Sequence, residues 1–421
     1  MKAYGSTMPA KPKTKARAVS VIGAGPAGLM AAEVLGAAGV AVTIHERMPS
    51  AGRKLLMAGR GGLNLTHSES LDDFLARYCE ASGWMSGPVR GFTPADLTAW
   101  TDGLGQETFT GSSGRIFPRA MKASPLLRAW LARLANQGVT LKIRSEWRGW
   151  SEDGALVFSE GGSGSTASPD ATVLALGGAS WPRLGSDGSW VGVLRDKGAV
   201  LAPFQPANAG FNANWTPAFA KFAGKPLKAI AIRHQDRTVR GEAMIAAYGM
   251  EGGAIYALSP QLRAAIARDG QTMIHIDLHP EQTVSKLTSR MVAPRGSQTL
   301  SNYLRKAAGL SPQALSLLRE ATGGVLPQQP TTLAGLMKAV PITLTGTQGL
   351  DRAISTAGGL ALSELDDNLM IRRLPGVFAA GEMLDWEAPT GGYLLQGSMA
   401  TGVAAARGVL SWLGEDEPSG R

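Results

Sequence analysis

A chain of 421 residues is too long for one small core and predicts two domains. With 44% hydrophobic and 18% charged residues it has a globular composition, which excludes a long disordered chain. The net charge is +9, and a single cysteine, Cys79, excludes an internal disulfide, a Cys-x-x-Cys pair, a thiolate zinc cluster and the flavoprotein disulfide reductases that need two thiols.

Residues 1–17 carry Lys2, Lys11, Lys13, Lys15 and Arg17 without an apolar segment. They read as a basic flexible tail on a cytoplasmic protein, not as a signal peptide, and no run of about 18 apolar residues predicts a membrane span. A short apolar strand, Ala18 to Ile22, then enters Gly23-Ala24-Gly25-Pro26-Ala27-Gly28 and a helix of small residues. Gly23 allows the sharp turn, Gly25 lets a pyrophosphate approach the backbone, and Gly28 lets the helix sit on the strand. The helix start at Pro26 and Ala27 turns free N–H groups toward phosphate. A second strand over 40–45 ends in Glu46, followed by Arg47, and that acid is positioned to accept both ribose hydroxyls. An acid here favours FAD or NAD without choosing between them.

The segment 139–168 alternates with turn signals and predicts a small antiparallel flap; residues 170–179 predict a buried strand ending at Gly177-Gly178. The far end supplies the choice of cofactor. Residues 376–380 form an apolar strand running into Gly381-Glu382, followed by Gly391-Gly392-Tyr393 and a helix from Leu394 to Leu413. An NAD enzyme has no reason to bring its C-terminus back to the cofactor, whereas the longer FAD needs such contacts. Glu382 is expected to accept a ribityl hydroxyl, and the helix start to face the ring's N1–C2=O edge.

Read together, these residues resemble a bacterial flavoprotein family whose members include aminoacetone oxidases, a bile-acid-intermediate reductase and a ribosomal-RNA dihydrouridine synthase. The resemblance runs over residues 18–413, through Gly52-Arg53-Lys54-Leu55-Leu56, Gly114-Arg115-Ile116-Phe117-Pro118, Gly177-Gly178-Ala179-Ser180-Trp181-Pro182, Gly185-Ser186-Asp187-Gly188 and Pro389-Thr390-Gly391-Gly392-Tyr393. It implies an α/β fold: a two-part FAD-binding Rossmann-like domain over 18–190 and 341–421, with an inserted β-barrel-like and helical domain over 191–340. Two departures mark a divergent branch. Gly59-Arg60-Gly61-Gly62-Leu63-Asn64 stands where relatives have Gly-Gly-Gly-Arg-Cys-Asn, and Tyr248-Gly249-Met250-Glu251-Gly252-Gly253 stands where a His and a Ser-Gly-Pro are usual.

Expected cofactor contacts are Gly23, Gly25, Pro26, Ala27, Gly28, Glu46, Arg47, Arg53, Lys54, Arg60, Asn64, Trp147, Gly177, Gly381, Glu382, Gly391, Gly392, Tyr393 and Leu394. The Arg53-Lys54 pair suits a pyrophosphate. Arg60, Asn64 and Arg115 are the candidates for contacting flavin or a polar substrate group. No second Gly-x-Gly-x-x-Gly follows a strand, so NADH or NADPH, if it donates electrons, must visit the substrate cleft. No metal site is expected from the five histidines.

Within the insert, strands are expected over 229–232 and 241–247, and helices over 259–268 and 312–321. From Arg195 to Lys338 there are 17 Lys or Arg and 8 Asp or Glu, while the remainder carries 25 of each, so the whole excess of +9 lies in the insert. Three functions stay open: a hydride-transferring oxidoreductase acting on a small molecule, by C=C reduction or amine oxidation; a flavoprotein that docks RNA or reduces a uridine in it; and a flavin-free binding protein, which would be colourless even after FAD is added.

Overall fold

The computed structural model describes residues 17–415. The expected basic tail falls outside the described residues except for Arg17, which pairs with Asp170 at 3.6 Å.

Runs rich in Val, Ile and Leu, too short for core helices, pair as parallel strands that are largely buried, save the exposed edge strand Thr140–Ile143. The sheet runs in the order Val377–Ala379, Ala171–Leu174, Ala18–Ile22, Ala41–Glu46, Thr140–Ile143, all parallel. Side chains alternate between two cores. Val21, Val173 and Phe378 join one with Leu29, Trp130 and Val403, while Ile22, Leu174 and Ala379 join another with Trp147 and Phe158. The helices Pro26–Ala37 and Tyr393–Leu413 cross closely, because a Cβ on Gly402 would lie 2.4 Å from the Ala27 carbonyl oxygen. A strand from the middle of the chain thus lies between the first strand and one from the end.

The expected single flap over 139–168 divides in two. Thr140–Ile143 joins the parallel sheet, and only Ser145–Trp150, Leu156–Glu160 and Ser163–Ala167 form the antiparallel flap. Arg144, at φ 56°, makes the break that alternation alone does not reveal.

The strands Leu201–Ala207 and Ser355–Leu360 pair antiparallel and carry the chain into and out of the insert. Beyond them lies a seven-stranded antiparallel sheet whose edge strands are Val340–Leu344 and Gly346–Thr347. Only Thr345 separates these edges, and adjacent Cα atoms are about 3.8 Å apart, so the sheet must curl until its edges meet. That is the barrel-like sheet expected. Four helices, Val284–Arg290, Leu300–Ala307, Pro312–Ala321 and Pro330–Lys338, interrupt it and share its core through Leu287, Leu304, Leu317 and Met337. The insert's own core begins and ends later than 191 and 340. Trp190 and Leu194 are buried with Trp147 in the nucleotide-binding unit, and Ile342 and Leu344 belong to the insert core. Among the described residues no helix is long and apolar enough to cross a membrane.

Candidate functional site

Four parallel strands end at one cavity of about 460 Å³, a size typical of small-molecule sites. Its walls come from Gly23 to Ala27 after the first strand, Glu46 at the end of the second, Ala175 to Gly177, and Ala380 to Glu382. Ligands of open α/β sheets bind outside these carboxyl ends.

The glycine turn has the geometry its spacing implies. Gly23 sits at φ +105°, where a Cβ would lie 2.3 Å from the Ala175 carbonyl oxygen, and a Cβ on Gly28 would lie 2.0 Å from that of Gly23. A Cβ on Gly25 would meet nothing within 4 Å. Gly28 therefore packs behind the wall, while Gly25 lines it. The helix Pro26–Ala37 has no side-chain cap and no acid in its first turn, which leaves its N–H groups available.

Glu46 is anchored by backbone: Ala24 N–H donates to Oε2 at 2.9 Å and Met48 N–H to Oε1 at 2.8 Å. Burial outweighs these bonds and raises its carboxyl above the ordinary range. Neighbouring His45 holds Ser145 Oγ at 2.9 Å and stacks on Phe158. Burial, assisted by Lys142, lowers its imidazole to about 4, so it is neutral at physiological pH.

The charged candidates divide. Arg47 pairs with Asp187 at 2.7 Å. Arg53 lines the cavity with its Nη1 3.4 Å from Ser50 Oγ. Lys54, expected beside Arg53 at a pyrophosphate, instead pairs with Glu382 and donates to Ser180 Oγ at 2.8 Å. Glu382 also accepts from Thr356 N–H at 3.0 Å. The lysine thus joins two cavity walls distant in sequence, a pairing that local spacing cannot reveal.

Asn64 lines the cavity, with Nδ2 3.4 Å from the Thr66 carbonyl. Arg60 does not. It is exposed on the short turn Gly59–Gly61, and Arg115 is half-buried in the strand Arg115–Pro118, also outside the lining. Tyr393 is likewise behind the wall, its hydroxyl donating to Glu69 at 2.6 Å and its carbonyl accepting from Tyr78 at 2.8 Å. It fixes the start of the last helix, while Gly391, Gly392 and Leu394 face the cavity. Gly392 is at φ +99°, and a Cβ there would lie 2.4 Å from Thr66 Cα. This helix too lacks a side-chain cap and a first-turn acid. Pro26, Ala27, Trp147, Gly177 and Gly381 complete the expected lining.

Four buried polar atoms on lining residues have no partner among the described residues: Arg53 Nε, Asn64 Oδ1, Trp147 Nε1 and Ser186 Oγ. Each such group costs about 1–3 kcal/mol unless satisfied, so their concentration here fits a polar ligand. Together with a turn that bars side chains and two open helix starts, this donor set fits FAD. Ser186 and Asp187 were missed as site residues, although Gly185-Ser186-Asp187-Gly188 carried a signal: a loop bounded by glycines at φ +100° and +70°.

The HI0933-like protein Rossmann domain model matches residues 17–408. The chain belongs to this family. A 3-dehydro-bile acid delta(4,6)-reductase of Clostridium scindens is 28% identical over 408 residues, 92% of this chain and 98% of that one. A ribosomal RNA dihydrouridine synthase of Escherichia coli is 23% identical over 411 residues, covering 93% and 97%. The fold is also that of the 3-ketosteroid delta1-dehydrogenase of Sterolibacterium denitrificans, with a TM-score of 0.50 at 12% identity over 93% of this chain and 99% of the other. Family and fold give the chain a Rossmann-type nucleotide-binding unit.

Proposed function

We propose that the chain holds FAD along this cavity and transfers a hydride between the flavin and a small substrate on the insert side, reducing a polarised C=C bond or oxidising a small amine. The carrying observation is that two uncapped helix starts, at Pro26 and Tyr393, border one cavity from opposite ends of the chain. Bound flavin supplies the hydride donor or acceptor at N5. The protein supplies orientation and electrostatics.

N–H groups after Gly25 bind phosphate, with Arg53 adding charge. Glu46, held by two backbone donors, keeps a lone pair on each oxygen for ribose hydroxyls. Glu382, oriented by Lys54 and Thr356, accepts from the ribityl chain. The N–H groups at Gly392 to Leu394 stabilise negative charge at the N1–C2=O edge. Asn64, the member of Arg60, Asn64 and Arg115 that lies on the wall, contacts ring or substrate. NADH or NADPH is the proposed reductant and visits the same cleft. Anaerobic reduction of the purified holoprotein with each nucleotide, followed by oxygen, tests this. Slow reoxidation is expected of a reductase and fast reoxidation of an oxidase. A colourless protein that takes up no added FAD overturns it.

The charge of the insert favours a second substrate class, a uridine within folded RNA, and one relative acts on ribosomal RNA by name.

A further inference from the structure

We infer that the helical cap of the insert, residues 282–319, is a docking surface for RNA. Docking is measured without turnover, so it bears on the second substrate class without resting on any redox chemistry.

No acidic residue occurs between Glu281 and Glu320. Lys286, Arg290, Arg295, Arg305 and Lys306 lie in that interval and all are exposed. Among the described residues none of the five forms an ion pair, and Arg290 alone has a side-chain partner, the neutral Gln282 at 2.9 Å. Ordinary surfaces intersperse both signs; this one repels itself in the free protein.

Helix electrostatics accounts for only part of it. Arg290, Arg305 and Lys306 sit in last turns, where the negative end of the dipole favours cations. Lys286 sits in the first turn of Val284–Arg290, where the dipole favours an acid, and Arg295 is in no helix. Those two positions are not explained by folding.

The surface is also pre-organised. Tyr303, on the helix Leu300–Ala307, has its hydroxyl 2.6 Å from the Met291 carbonyl and 2.8 Å from that of Ala293. This ties the end of the first helix and the loop carrying Arg295 to the second helix. Leu287, Met291 and Leu304 anchor the same pieces in the insert core. The segments that carry the cations are therefore tied to one another and to the insert core.

Their neighbours select the partner. Ser285, Ser289, Ser297, Gln298 and Asn302 are exposed and offer hydrogen bonds to phosphate and sugar. An anionic membrane would need an exposed apolar face with Trp, Phe or Leu, and here only Val284 and Val292 are exposed large hydrophobics. RNA fits this chemistry and a lipid surface does not.

The test uses the intact holoprotein and a fluorescein-labelled RNA hairpin, titrated across salt. Binding should weaken with salt at a log–log slope of about 3–5, the yield of four or five phosphate contacts. Replacing all five cations by Gln should weaken binding by about 100-fold near 150 mM salt while flavin content and thermal midpoint hold. Neutralising the exposed Lys221, Lys225 and Lys228 elsewhere on the insert should change it by less than about threefold if position matters and not net charge. Absent binding, equal loss per charge in both variants, or binding only to vesicles of phosphatidylcholine and phosphatidylglycerol would overturn the inference.

Discussion

Several arginines of the nucleotide-binding unit are matched to acids: Arg133 to Glu33 at 2.9 Å, Arg77 to Glu69, Arg90 to Asp72 and Arg373 to Glu364. In the helical cap, Lys286, Arg290, Arg295, Arg305 and Lys306 face solvent with no acid between Glu281 and Glu320. The same residue types serve opposite ends. In the first region charge is consumed by holding the fold around a buried cavity. In the second it is left uncompensated and available to something outside the chain.

The largest effect should come from the glycine turn, where backbone and not charge holds the first region. Gly23→Ala sets a methyl group 2.3 Å from a carbonyl oxygen at φ +105°, so about 4 kcal/mol or more of stability should be lost, read as a collapse of folded yield and thermal midpoint. Gly25→Ala is the sharpening partner. Its φ of −82° is ordinary and its Cβ meets nothing, so it should fold normally and lose flavin alone. Equal damage from both would mean that Gly25 is structural and not an approach to phosphate.

Glu46→Ala should weaken flavin retention by about 1–3 kcal/mol, measured by equilibrium dialysis. Burial raises this carboxyl, so a proton arrives at a higher pH than at an exposed glutamate. Retention should therefore decline as pH falls through that raised value, while the burial penalty on the charged form, present above it, is relieved in the flavin-free protein. Glu46→Gln should flatten the profile. A wild-type profile already flat down to the usual carboxylate range would remove the ribose role.

Smaller effects bear directly on the contrast in pairing. Arg133→Met strands the buried Glu33 carboxylate, which also accepts from Trp100, and should cost about 2 kcal/mol in urea unfolding, given partial exposure of the pair. Lys286→Gln should change stability by less than about 0.5 kcal/mol. Comparable losses would show that the cap's cations hold the fold after all.

What the sequence made legible was local. Strand, glycine turn, helix, second strand and acid lie within residues 18–46, and each residue's task depends on neighbours a few positions away. The last helix and Gly391-Gly392 were readable for the same reason. Spacing could not say which way side chains point from an aperiodic loop. On the Gly59–Gly61 turn Arg60 faces solvent, and the cavity receives Asn64 instead. Nor could it reveal that Lys54 meets Glu382 from the other end of the chain, or that Arg144 turns a strand out of the expected flap. The insert begins later than hydrophobic pattern suggests because the strands Leu201–Ala207 and Ser355–Leu360 still pack on the nucleotide-binding unit through Leu201, Phe204 and Leu360, a contact that pattern alone does not reveal.

That passage has a further consequence. Ala207 is paired directly with Ser355, so the points at which the chain leaves and rejoins the nucleotide-binding unit are neighbours. Topologically the insert is an enlarged hairpin turn. Its contents can be reshaped, or exchanged for another module, without moving either strand that supports the cradle, which leaves recognition free to diversify while the redox machinery stays put.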